Sequence, residues 1–413
     1  VTIHSQFLLP IGSFIPEKTA SGNFGENSAF FTQTTLAKKH SLNSIRKQIL
    51  RACDLLIIDE VSMLRADVLD AIDYRMRSAK GNFSRSFGGA QVLMIGDLYQ
   101  LPPIVKDHEW SVLRSYYRTM HFFEALALKQ DGMVYIELDK IFRQQDDKFI
   151  GILNNLRNNV ATKEDIDTLN SFYRKEENIE SEGVITITTH NYKADAINEK
   201  KLNSLPGPSS FFQADIDGDF PEKIYPISET IELKVGAQIM FIKNDTSGES
   251  HYFNGKLARV EYIDDEGITV LMAGNNRHFT LVKEKWENKK YTIDENSKEL
   301  EEEVVGTFVQ FPVKLAWAVT VHKSQGLTFD KAIIDVGQAF APGQVYVALS
   351  RLRSLDGLIL RTKINASAIS SDAEVVHFSS TKEGETEKLP SILQNQQSHY
   401  LQRILASTFD FSP

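Results

Sequence analysis

The sequence predicts an α/β protein of two units, with a small antiparallel barrel inserted in the second unit. Short apolar runs typical of buried parallel strands alternate with helical patterns such as LRADVLDAIDYRMRSA (64–79). The strand-like runs of the first unit are LLIID (55–59), VLMIGD (92–97) and VYIEL (134–138). Those of the second unit are VITITTHN (184–191), KAIIDV (331–336) and GLILRT (357–362). Between the two parts of the second unit, LARVEYIDDEGITVLM alternates apolar and polar residues around turn residues, which indicates the barrel.

The composition is that of an ordinary globular protein. Of 413 residues, 42% are hydrophobic and 24% are charged, and Cys53 is the one cysteine, so no internal disulfide can form. We therefore expect a reducing compartment, a bacterial cytoplasm in preference to a nucleus or mitochondrion. No apolar run reaches the length of a membrane span, so no membrane partner is expected. The net charge of −9 argues mildly against nucleic acid, although a local basic lining is enough for phosphate contacts.

Three segments differ in composition from the strand and helix runs. Residues 6–35 are rich in Phe, Gly, Pro and Thr, which indicates a loop or hairpin excursion from the first unit. Residues 283–303 are dense in charge and are expected to be solvated. After residue 365 the chain turns polar and then predicts an amphipathic helix, whose apolar stripe includes Leu393 and Leu401. We expect this stripe to pack on the core.

Asp59 and Glu60 come directly after the first strand-like run. Carboxylates at the carboxyl end of a parallel strand lie where α/β sheets bind their ligands. Asp59 is suited to hold Mg²⁺ through water, and Glu60 to orient and deprotonate an attacking water. The alternative is a strand that ends in an acidic turn without function.

Asp97 and Gln100 follow the second strand-like run, in MIGDLYQLPPI (94–104). If the two strands are neighbours, Gln100 reaches the same edge of the sheet as Glu60. A glutamine amide can donate to a γ-phosphate and accept from a water, so it can sense whether that phosphate is present. Asp97 is assigned to the same nucleotide site. The alternative is a tight proline-rich turn.

Arg143 in KIFRQ and Arg351 in YVALSRLRS are candidates for completing a phosphate site from another domain. The helical run before Arg351 would place its side chain at the end of a packed helix. Arg353 lies two residues later, and we prefer Arg351 because it directly ends the VALS run. For any single arginine, a surface ion pair is the commoner role.

Two polar segments carry residues suited to a sugar–phosphate backbone. The first follows an apolar run in LAWAVTVHKSQGLTF (315–329) and contains Thr320, His322, Lys323 and Ser324. Gly326 in the same segment permits a positive φ or a close approach of the backbone to a ligand, and is assigned to the nucleotide site. The second segment repeats this chemistry near residue 1 with Thr2, His4 and Ser5. The alternative is a polar loop with one core histidine.

The order of these motifs resembles that of superfamily-one helicases, and most of all the petite-integration-frequency (PIF) family and its RecD-like relatives. The motifs that carry the resemblance are TIHS, LLIIDEVSM, GDLYQLPP, FRQ, LAWAVTVHKSQGLTF and GQVYVALSR. The resemblance implies two RecA-like domains that clamp ATP and Mg²⁺ between them and move 5′→3′ along single-stranded DNA. It also implies a small wedge in the first domain and a small β-barrel in the second.

The resemblance implies where each domain begins and ends and which role each motif residue has. The implied parts are the first RecA-like domain (1–145, with a wedge-like insertion at 6–44), the second (146–240 and 312–363), the barrel (241–311), and a polar linker with an amphipathic helix (364–413). Glu60 matches the catalytic base, Gln100 the γ-phosphate sensor, Asp59 the Mg²⁺ carboxylate, and Arg143 and Arg351 the arginine fingers. His4, His322, Lys323 and Ser324 match DNA-contacting residues. The implied partners are single-stranded DNA and tailed or forked duplex DNA, with the protein a monomer.

The sequence departs from the family in one respect. It contains no phosphate-binding loop of the pattern G-x-x-x-x-G-K-[ST], so the first RecA-like domain is expected to be incomplete and this chain alone to be deficient in ATP hydrolysis. Two alternatives stay open. One is a helicase-derived DNA-binding module that turns over no ATP, and the other is a RecD-like subunit of a helicase–nuclease whose nuclease belongs to a partner.

Overall fold

Two parallel sheets organise the structure, one in each α/β unit, and antiparallel strands extend the second unit. The structure is a computed structural model that describes residues 2–17, 30–138, 140–175, 183–245, 247, 249, 251–264, 267–274, 277–293, 300–382 and 384–408. The mixed α/β class expected from the sequence is confirmed.

In the first unit the strands β3 and β4 form a parallel pair. Up to residue 145 the elements are α1 (Ile3–Gln6), β1 (Ser13–Ile15), β2 (Phe30–Thr32), α2 (Gln33–Lys38), α3 (Ser44–Ala52), β3 (Leu55–Ile58), α4 (Ala66–Lys80), β4 (Gln91–Met94), α5 (Asp107–Leu113) and α6 (Leu126–Asp131). β3 and β4 pair from Leu55–Gln91 to Ile58–Met94, so the two strands predicted to deliver the acidic and glutamine motifs are neighbours.

The two faces of this sheet differ. Alternate side chains pack against α4, a helix with Leu69, Ile72 and Met76 fully buried. On the opposite face the apolar side chains are between 46% and 56% exposed; they are Leu55, Ile57, Leu93 and Ile95. The predicted strand at 134–138 is wrong, because these residues form no ladder with β3 or β4 and their apolar side chains stand in solvent.

Residues near the start of the chain are tied to α4. The Phe14 N–H donates to the Asp67 carboxylate over 2.8 Å, and β1 pairs with β2 in parallel. Arg75 of α4 is buried and donates to three backbone carbonyls, those of Leu8, Leu36 and His40. The described parts of the segment 6–44 are therefore anchored on the first unit, and a wedge role for them stays a prediction.

The second unit begins with helices and then builds its parallel sheet. Its next elements are α7 (Asp147–Arg157), α8 (Lys163–Asn170), β5 (Ile185–Thr188), α9 (Asn191–Ser204), β6 (Ser210–Gln213), β7 (Asp215–Gly218), β8 (Thr230–Leu233) and β9 (Gln238–Phe241). β6 and β8 pair in antiparallel fashion.

Antiparallel strands follow where the barrel is predicted. They are β10 (Leu257–Asp264), β11 (Gly267–Met272), β12 (His278–Thr280), β13 (Glu284–Ile293), β14 (Leu300–Gln310) and β15 (Val313–Leu315). One sheet has the order β12-β11-β10-β9-β15 and another has the order β13-β14-β7. The charge-dense residues 283–303, expected only to be solvated, contribute to the β13–β14 hairpin, which pairs from Glu284–Gln310 to Ile293–Leu300. A closed barrel with limits 241–311 stays a prediction.

The chain then returns to the parallel sheet of the second unit. It adds β16 (Ala318–Thr320), β17 (Ala332–Asp335), α10 (Gln344–Leu349) and β18 (Leu358–Leu360), and the sheet order is β16-β5-β17-β18. Apolar residues of these strands and of α7 and α10 form one buried core. The carboxyl ends of β16, β5 and β17 therefore meet at one edge of this sheet.

The last helices are α11 (Ala373–Lys382) and α12 (Glu385–Thr408). α11 packs on the first unit, with Val375 in its core and Phe378 stacked on Phe123 at 4.2 Å between ring centroids. The expectation that the apolar stripe of α12 packs on the core is wrong for Leu393 and Leu401, which are exposed. Within the described residues, no helix is both long enough and apolar enough to cross a membrane.

Candidate active site

Asp59 and Glu60 stand where β3 ends, at the edge that faces the second unit. Both side chains are exposed, and the Glu60 N–H donates to Asp59 Oδ1 over 2.8 Å. Glu60 has φ 50° and ψ 43°, a left-handed conformation that costs energy in a residue with a side chain. The turn is held by the Val61 N–H, which donates to the Ile95 carbonyl. These bonds hold the backbone of Glu60 beside β4.

Asp97 and Gln100 lie in the loop that follows β4. Gln100 Nε2 donates to Asp97 Oδ2 over 3.3 Å, and the Tyr99 N–H donates to Asp97 Oδ1 over 3.1 Å. Since β3 and β4 are neighbours, this loop and Glu60 share one edge of the sheet. The expected proximity of the Gln100 loop to the acidic pair is therefore present.

The second unit contacts the same loop directly. The Tyr346 hydroxyl donates to Asp97 Oδ2 over 3.1 Å, and Gln325 Nε2 donates to Gln100 Oε1 over 3.3 Å. Burial, with Asp97 nearby, raises the pKa of Tyr346, so its hydroxyl remains protonated and able to donate. Arg157 Nε lies 3.9 Å from Asp97 Oδ1. The residues on both sides of this contact form the interface between the two units.

Arg351 is buried at this interface, with 1% of its surface exposed. Its Nε donates to the Val347 carbonyl and its Nη2 to Ser350 Oγ, at 3.0 and 2.9 Å. Burial, and then the nearby charge of Arg143, lower the pKa of Arg351 to about 10, while Glu60 and Asp97 act in the opposite direction. Arg351 thus lies within electrostatic reach of both predicted acidic residues.

Arg143 comes from the segment that joins the two units. It is exposed, and its Nη1 donates to the Ser350 carbonyl over 3.3 Å. Within the described part of the chain, neither Arg143 nor Arg351 forms an ion pair with a carboxylate. Arg353, by contrast, is exposed and pairs with Asp330 at 3.1 Å. The structure brings Arg143 and Arg351 together at the interface and keeps Arg353 on the surface.

These residues fit a nucleotide polyphosphate. Two guanidinium groups without carboxylate partners suit an anion, and the Gln100 amide beside them can bind a phosphate oxygen. Among the described residues there is no group of three or more His, Cys, Asp or Glu side chains that could hold a metal ion by themselves. The exposed Asp59 carboxylate is instead suited to Mg²⁺ that takes its other ligands from phosphate and water.

The segment 320–326 forms a short loop after β16. The predicted DNA-contacting side chains of Thr320 and Ser324 are buried. Ser324 Oγ donates to the Val321 carbonyl over 2.7 Å, and Thr320 Oγ1 accepts from the Lys323 N–H. Both side chains therefore shape the loop, and a contact of either with DNA stays a prediction. Lys323 is exposed and His322 half-buried, and burial lowers the pKa of His322. Gly326 has φ 75°, the positive value for which a glycine was expected.

Thr2, His4 and Ser5 form the beginning of α1. The side chain of Thr2 caps this helix by accepting from the Ser5 N–H over 3.4 Å, and all three residues are exposed. Partial loss of solvent around the imidazole, and then the charge of Arg65, lower the pKa of His4. In the described structure, no hydrogen bond or ion pair joins this segment to the loop at 320–326.

Three residues of the interface were not predicted from the sequence: Tyr346, Arg157 and Gln325. Tyr346 and Gln325 lie inside quoted motifs, GQVYVALSR and HKSQG, yet neither side chain has a chemistry that indicates a nucleotide site by itself. Arg157 lies on α7, outside every motif. Their contacts to Asp97 and Gln100 depend on the packing of two units, which local patterns do not report.

Comparisons with known proteins agree with the geometry. A sequence model of the PIF1-like helicase family matches residues 26–166. The chain is 32% identical over 335 residues to the ATP-dependent DNA helicase PIF1 of Homo sapiens, covering 80% of this chain and 49% of that protein. The chain thus spans about half the length of the vertebrate relatives that it matches.

Solved structures are similar over most of the chain. Pif1 of Bacteroides sp in complex with ADP-AlF4 has a TM-score of 0.80 and 36% identity, covering 93% of this chain and 84% of that chain. Bacteroides Pif1 bound to ssDNA has a TM-score of 0.63 and 38% identity, with the same two coverages of 93% and 84%. Since relatives with RecA-like domains share sequence and fold across both units, the chain belongs to the PIF1-like helicase family.

Proposed function

We propose that the protein is an ATP-dependent DNA helicase that moves 5′→3′ on single-stranded DNA and unwinds duplex DNA, in replication, repair or recombination. Its relatives carry the name ATP-dependent DNA helicase, and structural neighbours are complexes with ADP-AlF4, with ssDNA and with forked dsDNA. Tailed or forked duplex DNA is the proposed substrate. The proposed working form is a monomer. It would act in the compartment that holds its DNA, which in a bacterium is the cytoplasm.

One observation carries the proposal. Arg351 and Arg143 meet at the interface, opposite Glu60 and Gln100 of the other unit, and neither has a carboxylate partner among the residues that the structure describes. A buried guanidinium without a counter-ion is unfavourable in an isolated protein, so a phosphate group placed there would relieve it. The arrangement supports nucleotide binding between two units, which is how closure of a cleft can be coupled to movement along a strand.

The proposed roles follow from what each side chain can do. Glu60 accepts the proton of the attacking water, and Gln100 holds that water and a γ-phosphate oxygen. Arg351 and Arg143 stabilise the negative charge that grows on the phosphoryl oxygens, and Asp59 holds Mg²⁺ through water. Asp97 and Gly326 line the same site. Bound ATP with Mg²⁺ supplies the phosphoryl group whose transfer to water drives the cycle.

The proposed DNA contacts lie on both units. Lys323 and His322 present a cation and an imidazole at the carboxyl edge of the second sheet, while Thr2, His4 and Ser5 present small polar groups from α1. Such contacts fix the register of a strand by its phosphates and sugars without reading its sequence. We assign the described part of the segment 6–44 a wedge role at the duplex junction.

The phosphate-binding loop bears on whether the chain can hydrolyse ATP. These 413 residues contain no G-x-x-x-x-G-K-[ST] pattern, and we propose that the chain by itself hydrolyses no appreciable ATP. The same observation favours a second candidate function, a helicase-derived module that binds single-stranded DNA without turnover. The two candidates differ in whether a form that carries such a loop ahead of residue 1 hydrolyses ATP.

Unwinding of tailed duplexes tests the proposal. A form that carries the phosphate-binding loop should separate a duplex with a 5′ single-stranded tail when ATP is present, and leave a duplex with a 3′ tail intact. The 413-residue chain should bind both tails and unwind neither. Unwinding of the 3′-tailed duplex would contradict the direction, and binding without ATP turnover in either form would favour the second candidate.

A further inference from the structure

Three neighbouring strands of the second sheet bring side chains to one edge. β16 leads into the loop with Lys323, β5 leads into His190, and β17 leads into the segment that contains Phe340. Thr188 at the end of β5 pairs with Thr320 of β16 on one side and with Asp335 of β17 on the other. The residues that follow these strands are therefore continuous with the proposed DNA-contacting loop.

Exposed aromatic rings gather at this edge. The imidazole of His190 lies 5.3 Å from the ring of Tyr192 and 5.0 Å from the ring of Phe340, measured between centroids. Tyr192 is 63% exposed and Phe340 is 64% exposed. Neither ring belongs to a hydrophobic core of the described residues. Exposed rings that cluster in this way, unlike rings exposed singly, are a feature of binding surfaces.

The rings are supported from beneath. Thr189 Oγ1 and His190 Nδ1 are 2.7 Å apart, which fixes the orientation of the imidazole between the two outer rings. The Phe340 N–H donates over 3.0 Å to Oε1 of Gln344, whose side chain is fully buried at the start of α10. Asp335 at the end of β17 lies 3.9 Å from Lys193. The His190 imidazole and the backbone of Phe340 are therefore held in place by polar contacts and not by a packed core.

We propose that Tyr192 and Phe340, with His190 between them, form a stacking platform for the bases of single-stranded DNA. This rests on the proposed function. Base–aromatic stacking tolerates any sequence because every base has a flat face, and it usually accompanies cationic contacts to the backbone. Lys323 supplies such a contact on the adjacent strand end. The platform would hold bases while Lys323 holds phosphate, so the two contacts respond differently to salt.

The same ring chemistry would accept the adenine of ATP, and the experiment separates the two sources. Binding of a fluorescein-labelled oligo(dT), of an abasic strand of equal length and of a fluorescent ATP analogue is measured with the 413-residue chain. The variants are Tyr192→Ala, Phe340→Ala, Tyr192→Phe and Lys323→Ala. Tyr262→Ala removes an exposed tyrosine of β10 and serves as the matched control.

Tyr192→Ala and Phe340→Ala should each weaken oligo(dT) binding about ten-fold, and Tyr192→Phe should retain it, since stacking needs the ring and not the hydroxyl. The salt dependence should stay unchanged in both alanine variants, whereas Lys323→Ala should lower its slope by about one. Binding of the abasic strand should be equal in wild type and the alanine variants. Tyr262→Ala should bind as wild type.

Three results would overturn the platform. The first is that Tyr192→Ala and Phe340→Ala bind oligo(dT) as tightly as wild type while Lys323→Ala binds it more weakly. This result would leave the proposed function intact. The second is that the two alanine variants lose as much affinity for the abasic strand as for oligo(dT). The third is that they lose affinity for the ATP analogue alone. Absence of DNA binding by the wild-type chain would overturn the proposed function together with the platform.

Discussion

At the scale of single residues, Arg351 explains most about this site. It is buried, its side chain donates to Val347 and Ser350 of its own segment, and within the described structure it forms no carboxylate pair. Only two residues away, Arg353 is exposed and paired with Asp330. Two arginines of similar sequence context therefore have opposite environments, which makes them a matched pair for experiment.

Replacing Arg351 by lysine should lower DNA-stimulated ATP hydrolysis by about a thousand-fold or more in a form that carries the phosphate-binding loop, because a lysine cannot reproduce the planar bidentate contact to phosphate. Arg353→Lys should change the rate by no more than a few-fold. The rates are measured at saturating single-stranded DNA. Equal losses in the two variants would show that the burial of Arg351 is unrelated to hydrolysis.

Lys323 permits a second prediction at this scale. Because its ammonium is exposed beside the 320–326 loop and is proposed to neutralise one phosphate, Lys323→Ala should reduce the slope of log affinity against log salt by about one. Lys163, an exposed lysine at the start of α8, supplies the control. Titrations of single-stranded DNA at several salt concentrations measure the slope. A slope unchanged in Lys323→Ala would remove the loop from the DNA path.

At the scale of elements, the contact between the Gln100 loop and α10 is closely fitted. Gly343 begins α10 with φ 77°, and a Cβ placed there would lie 2.6 Å from the Tyr99 carbonyl oxygen and 2.7 Å from that of Gln100. No side chain fits at these distances without moving the backbone. The two units can approach this closely only because position 343 is a glycine.

Gly343→Ala should therefore lower the midpoint of thermal unfolding and weaken the coupling between DNA binding and ATP hydrolysis. Gly81→Ala is the matched control, since Gly81 has φ 67° and open space around its Cα, so it carries the conformational strain without the clash. The strain alone costs about 1–2 kcal/mol. A larger destabilisation in Gly343→Ala than in Gly81→Ala is expected, and equal values would contradict a close contact.

Elements with a strong local pattern were predictable from the sequence. β3, β4, β5, β17 and α4 each follow from an apolar run or a helical period, and their polar ends indicated the candidate site. The segment 134–138 has a similar apolar pattern but lacks a strand partner in the described structure. Whether a segment pairs depends on its neighbours in the sheet and not on its own sequence alone. The contacts of Tyr346 and Arg157 with Asp97 likewise arise from the approach of two units that are distant in sequence.

At the scale of the whole molecule, the segment after β18 joins the two units. The Asp372 carboxylate accepts a hydrogen bond from His121 Nε2 over 3.0 Å, and Arg118 lies 3.3 Å from Glu374. Phe378 stacks on Phe123, and Ser371 Oγ donates to the Arg157 carbonyl of the second unit. α11 therefore belongs to the packing of the first unit although it follows the second in sequence.

Asp372→Asn tests this connection through pH. The hydrogen bond from His121 lowers the pKa of Asp372, so its carboxylate stabilises the folded state above the unfolded pKa of about 3.9 and loses that effect as pH falls through the folded pKa. The difference in urea midpoint between wild type and Asp372→Asn should therefore shrink as the pH falls below about 4. Asp330→Asn, a change at an exposed pair, is the control. A difference independent of pH would contradict the pairing.

We propose that Glu60, Gln100, Arg143 and Arg351 form one hydrolytic site between the two units. The most direct test is the rate of ATP hydrolysis stimulated by single-stranded DNA, in a form that carries the phosphate-binding loop, with Glu60→Gln compared to wild type. General-base catalysis contributes roughly 10²–10⁴-fold, so a loss of that size with DNA binding retained is predicted. Turnover by Glu60→Gln at the wild-type rate would contradict the claim.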